Sequence, residues 1–194
     1  MIAIVSYNAG NITSVRNVLN RLGYQNVITD DPEILVSADK VIFPGVGEAG
    51  SAMNHLRQRN LDKVILSLKN PVLGICLGLQ LMCRFSEESS TECLGIFDTS
   101  VRRFPESPGF KIPHMGWNSF SLAKGELFRG IKVNDDVYYV HSYYAGICND
   151  TVAECEYIVP FSAALRKGNF YATQFHPEKS AGTGEKILKN FLEL

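Results

Sequence analysis

The chain has 194 residues, 45% hydrophobic and 20% charged, with 19 Lys and Arg against 20 Asp and Glu. That supplies one core, read as a single domain over 1–194, and the near-cancelling charges leave no basic surface of the kind that phosphate backbones or anionic lipids require. Nucleic acid and membrane therefore drop down the list of partners. No apolar stretch approaches the roughly 18 residues of a spanning helix, and a cytoplasmic location is expected.

In chain order, Ile2–Ser6 reads as a strand, and Asn11–Leu22 as a helix with Ile12, Val15, Val18, Leu19 and Leu22 on one face and Gly23 just past its end. Val27–Thr29, Val41–Phe43 and Val72–Ile75 are further β-rich runs. They are separated by helical patterns at Glu48–Gln58 and Leu61–Leu68 and by turn signals at Asp31-Pro32 and Asn70-Pro71. Strands alternating with helices predict an α/β fold with a largely parallel sheet covered on both faces. From Leu94 onward the pattern changes. Ile96–Phe104, Val137–Tyr144, Val152–Tyr157, Ala163–Arg166 and Phe170–Gln174 read as strands of antiparallel or mixed sense, and Glu185–Leu192 as a last helix starting near Thr183 or Gly184.

The five cysteines are scattered and form no C-x-x-C pair, so buried, reduced thiols are the default reading, and no metal or cofactor is expected. Cys76 departs from that default. In Val72-Leu73-Gly74-Ile75-Cys76-Leu77-Gly78-Leu79-Gln80 a buried strand runs into a helix expected over Leu77–Phe85, with glycine two residues before and two after the cysteine. This is the nucleophile-elbow pattern with a thiol in place of a hydroxyl. The helix end favours a thiolate, and the Leu77 N–H can donate to an oxyanion.

A thiol nucleophile needs a base, and the base needs orienting. His176 follows the last predicted strand, Pro177 ends that strand, and Glu178 can turn back onto the imidazole. His55 reads as a helix-surface residue and His114 and His141 as structural. Val41-Ile42-Phe43-Pro44-Gly45-Val46-Gly47 is a strand breaking into a Pro-Gly loop able to present backbone N–H groups at Val46 and Gly47. If its strand is parallel to that of the elbow, both open at one sheet edge.

Together, P-G-V-G at 44–47, G-I-C-L-G-L-Q at 74–80 and H-P-E at 176–178 resemble the class I glutamine amidotransferases over nearly the whole chain. The resemblance implies that Cys76 attacks the glutamine carboxamide, His176 moves the proton and Glu178 orients His176, through a γ-glutamyl thioester. It assigns the oxyanion site to Val46, Gly47 and Leu77, and glutamine binding to Gly47, Gln80, Glu88, Ser142 and Tyr143. Gln80 also has a local argument, since i and i+4 set it on the Cys76 face of a helix.

Within the class, Asn8-Ala9-Gly10-Asn11, Pro113-His114-Met115-Gly116-Trp117-Asn118, Val140-His141-Ser142-Tyr143-Tyr144 and Lys179 resemble the glutaminase subunits of imidazole glycerol phosphate synthases. That implies a heterodimer with a (β/α)8-barrel cyclase subunit, which receives ammonia to make imidazole glycerol phosphate and AICAR in histidine biosynthesis. Gly10, Asn11, Trp117, Asn118 and Lys179 are the implied interface. On residue physics alone Trp117 reads more readily as a core residue than as interface, and the tyrosines of 138–144 alternate as in a half-buried strand. The glutaminase of another synthase, such as pyridoxal phosphate synthase, or a non-catalytic regulatory subunit remain the alternatives.

Overall fold

The computed structural model describes residues 1–7 and 12–194. The elements in order are β1 (Ile2–Val5), α1 (Ile12–Arg21), β2 (Asn26–Thr29), α2 (Pro32–Ser37), β3 (Lys40–Gly45), α3 (Ala49–Gln58) and α4 (Leu61–Ser67). Then come β4 (Val72–Cys76), α5 (Leu77–Met82), β5 (Cys83–Ser86), β6 (Thr91–Glu92), β7 (Phe97–Arg103), β8 (His114–Ser119) and β9 (Leu122–Ala123). The chain closes with β10 (Asp136–His141), β11 (Tyr143–Ala145), β12 (Thr151–Tyr157), β13 (Val159–Lys167), β14 (Phe170–Thr173) and α6 (Ala181–Leu192).

Eight strands form the central sheet in the order β2-β1-β3-β4-β14-β13-β12-β9. The first five are mutually parallel, and β13, β12 and β9 extend the sheet antiparallel. Strand alternation divides the apolar residues between two faces. Ala3, Val5, Val41 and Phe43 pack with Leu35, Leu56 and Ile65 of α2, α3 and α4. Ile2, Ile4, Ile42 and Leu73 pack on the other side with Val15 and Leu19 of α1 and Ile187 and Phe191 of α6. Two smaller sheets, β10-β8 and β11-β7-β5-β6, stand beside the central one.

Local chemistry accounts for the helix ends. Gly23 has φ +81°, and the Gly23 and Tyr24 N–H groups donate to the Asn20 and Leu19 carbonyls, a glycine-terminated helix stop. Asp31-Pro32, expected as a turn, instead starts α2: the Asp31 carboxylate accepts the Glu33 N–H at 2.9 Å and proline occupies the first turn. Turn and helix-start signals share the same residues, so only the packing of Leu35 separates them.

Three other elements differ from expectation. The helix after the elbow is six residues rather than nine, because Cys83–Ser86 pairs with β7 and that ladder outcompetes continued helix. Val137–Tyr144 is two strands in two sheets, broken at Ser142, since β10 pairs with β8 while β11 pairs with β7. The last helix begins at Ala181 rather than near Thr183, with Gly184 inside it, where a Cβ would lie 2.0 Å from the Pro177 carbonyl oxygen.

At the β4–α5 junction the backbones approach more closely than side chains allow. A Cβ on Gly78 would lie 2.0 Å from the Phe43 carbonyl oxygen, and one on Gly74 2.9 Å from Met82 Sδ and 3.0 Å from the Gly78 carbonyl carbon. Gly78→Ala is therefore expected to destabilise by about 3 kcal/mol, read as a lower urea midpoint. Gly182→Ala, at a helical glycine with nothing within 4 Å, leaves stability equal or slightly higher. Matching midpoints for the two variants would contradict the close-approach account.

Candidate active site

Cys76 ends β4 and opens α5 with φ 55° and ψ −106°, a conformation that side-chain-bearing residues rarely adopt. Cys76 shares a cavity of about 400 Å³ with Val46, Gly47, Leu77, Gln80, Glu88, Pro113, Val140, His141, Ser142 and Tyr143. β3 lies beside β4 in parallel register, with Gly45 opposite Cys76, so the Pro-Gly loop and the elbow do open at the same sheet edge. Gly47 has φ +121° and open space around it, whereas Gly45 is hemmed in by Tyr7 and Leu77.

His176 is fully buried just beyond β14. Its N–H donates to the Tyr138 carbonyl at 2.9 Å, and its carbonyl accepts the Ser180 hydroxyl, which in turn accepts the Tyr138 N–H. Both faces of the turn are thus tied to β10. Pro177 starts the short helical turn 177–179 that brings Glu178 back, and Glu178 Oε1 lies 2.7 Å from His176 Nδ1, with both side chains out of solvent. Burial disfavours an imidazolium here. The side-chain hydrogen bonds and charges of Cys76 and Glu178 outweigh that cost and raise the His176 pKa.

The remaining candidates fall into three groups. Gln80 is buried on the cavity wall and its amide nitrogen donates to the Tyr143 carbonyl at 3.0 Å and to Gln174 Oε1 at 3.1 Å. The Ser142 carbonyl accepts the Phe104 N–H. Glu88 reaches the cavity half-buried: burial raises its pKa, while the Ala49 N–H, donating to Oε2 at 2.8 Å, opposes the rise. Trp117 is 54% exposed on β8 and stacks edge-on against Tyr138 across the β8–β10 pair, so its reading as a core residue is wrong. Lys179 is exposed, and half-buried Asn118 donates to the Glu156 carbonyl. Gly10 and Asn11 lie outside the described residues.

His114 and His141 form a buried pair with their protons fixed in place. His141 Nδ1 is 2.8 Å from the Tyr143 carbonyl, which can only accept, so Nδ1 carries the hydrogen. In neutral His141 the Nε2 atom is then an acceptor. His114 Nδ1, at 3.1 Å, must donate to it, leaving His114 Nε2 to accept from Asn118 Nδ2 at 3.4 Å. Burial pushes His114 down to about 4 and His141 to about 3, so both stay neutral at pH 7.

Residue reading overlooked Gln174 and the carbonyl of Val140. Gln174 is fully buried with its amide nitrogen 3.7 Å from Cys76 Sγ, and the Val140 oxygen lies 4.0 Å from the same sulfur. The available signal for Gln174 was its position two residues before His176 on an extended segment, which puts both on one face. Burial raises the Cys93 and Cys155 thiols to about 11 and lifts Cys83 well above the ordinary thiol value. Among the described residues no group of three or more His, Cys, Asp and Glu is placed to hold a metal, and no helix is long and apolar enough to cross a membrane.

The histidine pair sets a pH dependence of stability. Folded values below the unfolded value of about 6.5 mean that the unfolded chain binds more protons between pH 4 and 6.5. Stability from this source is complete above about pH 6.5 and lost as pH falls through that window. His114→Gln, which cannot titrate, is expected to flatten the fall by up to one proton, about 1.4 kcal/mol per pH unit. Urea midpoints at pH 7.0 and 5.0 check this, and parallel losses in both proteins would contradict a buried neutral His114.

A family model described as "Glutamine amidotransferase class-I" matches residues 4–194. An imidazole glycerol phosphate synthase subunit HisH of Bacteroides fragilis is 60% identical over 194 residues, covering 100% of this chain and 99% of that protein. The HisH subunit of Vibrio parahaemolyticus is 42% identical over 200 residues, covering 100% and 98%. Among solved structures, a glutamine amidotransferase of Thermotoga maritima aligns at TM-score 0.68 and 17% identity over 99% of this chain and 82% of that one. PurLQS of the same organism aligns at 0.71 and 16%, over 99% and 97%. These last two show the shared fold. With sequence identity extending end to end, the chain belongs to the class I glutamine amidotransferases, in the family of HisH subunits of imidazole glycerol phosphate synthase.

Proposed function

We propose that this chain hydrolyses glutamine through a Cys76 thioester and passes the ammonia to a (β/α)8-barrel cyclase partner. The observation that carries the reading is the arrangement of Cys76, His176 and Glu178 at the edge of a cavity large enough for one amino acid, with Glu178 2.7 Å from His176 and Cys76 acting electrostatically on the same imidazole. The Cys76 proton passes to His176, and the sulfur attacks the carboxamide carbon. The tetrahedral oxyanion is taken by the Leu77 N–H and by a backbone N–H of the Val46-Gly47 loop. His176 returns the proton to the departing ammonia. A water molecule, its proton taken by His176, then cleaves the thioester to glutamate and restores the thiol.

Glu88, half-buried on the cavity wall, suits the α-ammonium of glutamine, and Gly47, Gln80, Ser142 and Tyr143 bound the rest of the pocket. The HisH relatives are named as subunits of a synthase, which supports a partner chain here. Exposed Met115 and Trp117 on β8, with Lys179 directly after the triad acid, are the surface we assign to it. Pro113, one residue ahead of β8, lines the cavity, so that surface and the cavity lie on one continuous stretch of chain. The partner would use the ammonia to form imidazole glycerol phosphate and AICAR.

Cys76→Ala in complex with the barrel subunit is expected to abolish glutamine-dependent synthesis while ammonia-dependent synthesis persists. Loss of both in a folded complex would overturn the division of labour. Glu178→Gln removes orientation but keeps the nucleophile, and should lower glutamate release less than Cys76→Ala does. Glutamate release by the chain alone and with the partner completes the test, and equal rates would contradict dependence on the partner.

A further inference from the structure

A single carbonyl determines the polarity of a hydrogen-bond chain that ends on the nucleophile. The Tyr143 carbonyl can only accept, so the side of the Gln80 amide that faces it at 3.0 Å is the nitrogen. That same nitrogen faces the Gln174 side chain at 3.1 Å, which must therefore present its oxygen. The Gln174 nitrogen is left on the opposite side, 3.7 Å from Cys76 Sγ, with an N–H directed at the sulfur. Gln174 is fully buried and Gln80 nearly so, so neither amide has bulk water as an alternative partner. The polarity of both side-chain amides follows from one backbone atom and owes nothing to a choice of amide orientation.

We propose that Gln174 is a further catalytic residue, a neutral donor to the Cys76 sulfur that stabilises the thiolate, with Gln80 as the residue that positions it. When His176 takes the thiol proton, the electron pair left on Sγ faces the Gln174 N–H, and a hydrogen bond made to the charged form favours that form. As the sulfur–carbon bond of the thioester forms, the sulfur loses negative charge and the contact weakens. It strengthens again when water releases glutamate and the thiolate leaves. The donor thus acts on the nucleophile and the leaving group of the two half-reactions while His176 alone moves the proton. The inference rests on the reading of Cys76 as nucleophile and adds a group to it. It also gives Gln80 a role that is present before any substrate binds.

The test is the pH profile of Cys76 alkylation by iodoacetamide on the full chain, read by peptide mass at each cysteine. The titratable groups around the sulfur are His176 and through it Glu178, Tyr7 two residues past β1, and Glu88, His141 and Tyr143 across the cavity. All stay unchanged in the variants. Gln174→Met removes the donor at similar volume and is expected to move the alkylation midpoint up by about one pH unit, a roughly tenfold slower reaction below the midpoint. Gln174→Glu, which sets a carboxylate oxygen against the sulfur, should move it further. A folded Gln174→Met protein with the wild-type midpoint overturns the proposal. If neither variant folds, the wild-type chain decides: the Gln174 side-chain 15N–H resonances should shift with pH at the midpoint of Cys76 alkylation, and resonances that stay still there overturn it. A wild-type Cys76 no more reactive than half-exposed Cys93 and Cys148 would instead remove the nucleophile reading itself.

Discussion

The contact on which the site depends lies between two backbones. At Gly78 the first turn of α5 presses against β3 so closely that a Cβ would sit 2.0 Å from the Phe43 carbonyl oxygen. Only with that approach can the chain reverse within one residue at Cys76, where φ is 55°. The strain of that residue is held by its surroundings: β4 is buried along its whole length and paired on both sides, and every residue of α5 is buried. A thiol on a relaxed loop would have many orientations. Here it has one, facing a cavity whose other walls come from loops that the same sheet positions.

The second organising feature is the change of sheet at Ser142. β10 belongs with β8, β11 with β7, and the peptide between them turns its carbonyls inward. The Tyr143 oxygen receives Gln80 from one side and His141 from the other. Hydrogen bonds continue through His141 and His114 to Asn118, next to exposed Trp117, and through Gln80 and Gln174 to Cys76. A buried polar network of this kind is stable only when each member is satisfied, which gives it one arrangement rather than several. It therefore ties the strand that carries the exposed aromatic face to the wall of the cavity.

Burial acts with opposite results on chemically similar groups in this molecule. It holds His114 and His141 neutral, because their partners are a carbonyl and each other. His176 is buried as deeply, yet the Glu178 carboxylate and the negative charge of an ionised Cys76 reverse the direction and raise its pKa. The cysteines divide in the same way. In Cys83, Cys93 and Cys155 burial is the largest influence, whereas Cys76 has the Gln174 amide N–H 3.7 Å from its sulfur. Function resides in the partners each buried group is given.

Much of the architecture was legible in the residues themselves: the β–α alternation of the first half, the glycine stop after α1, the elbow around Cys76 and the His176-Pro177-Glu178 turn. These are local matters of period, φ and the missing proline N–H, so a few neighbouring residues suffice to specify them. The features that local pattern left open depend on partners distant in the chain. Cys83–Ser86 leaves the helix because β7 offers a ladder, Val137–Tyr144 splits because two sheets compete for it, and Asp31-Pro32 caps a helix because Leu35 finds a core. Trp117 faces solvent, and Gln174 meets Cys76 across 98 residues of sequence. A propensity is a property of neighbours along the chain, while exposure, strand partnership and the direction of a buried amide are settled only when remote segments meet. Local pattern was enough to specify the elbow at Cys76 and the His176-Pro177-Glu178 turn, whereas the contacts that hold them in place come from segments far apart in the chain.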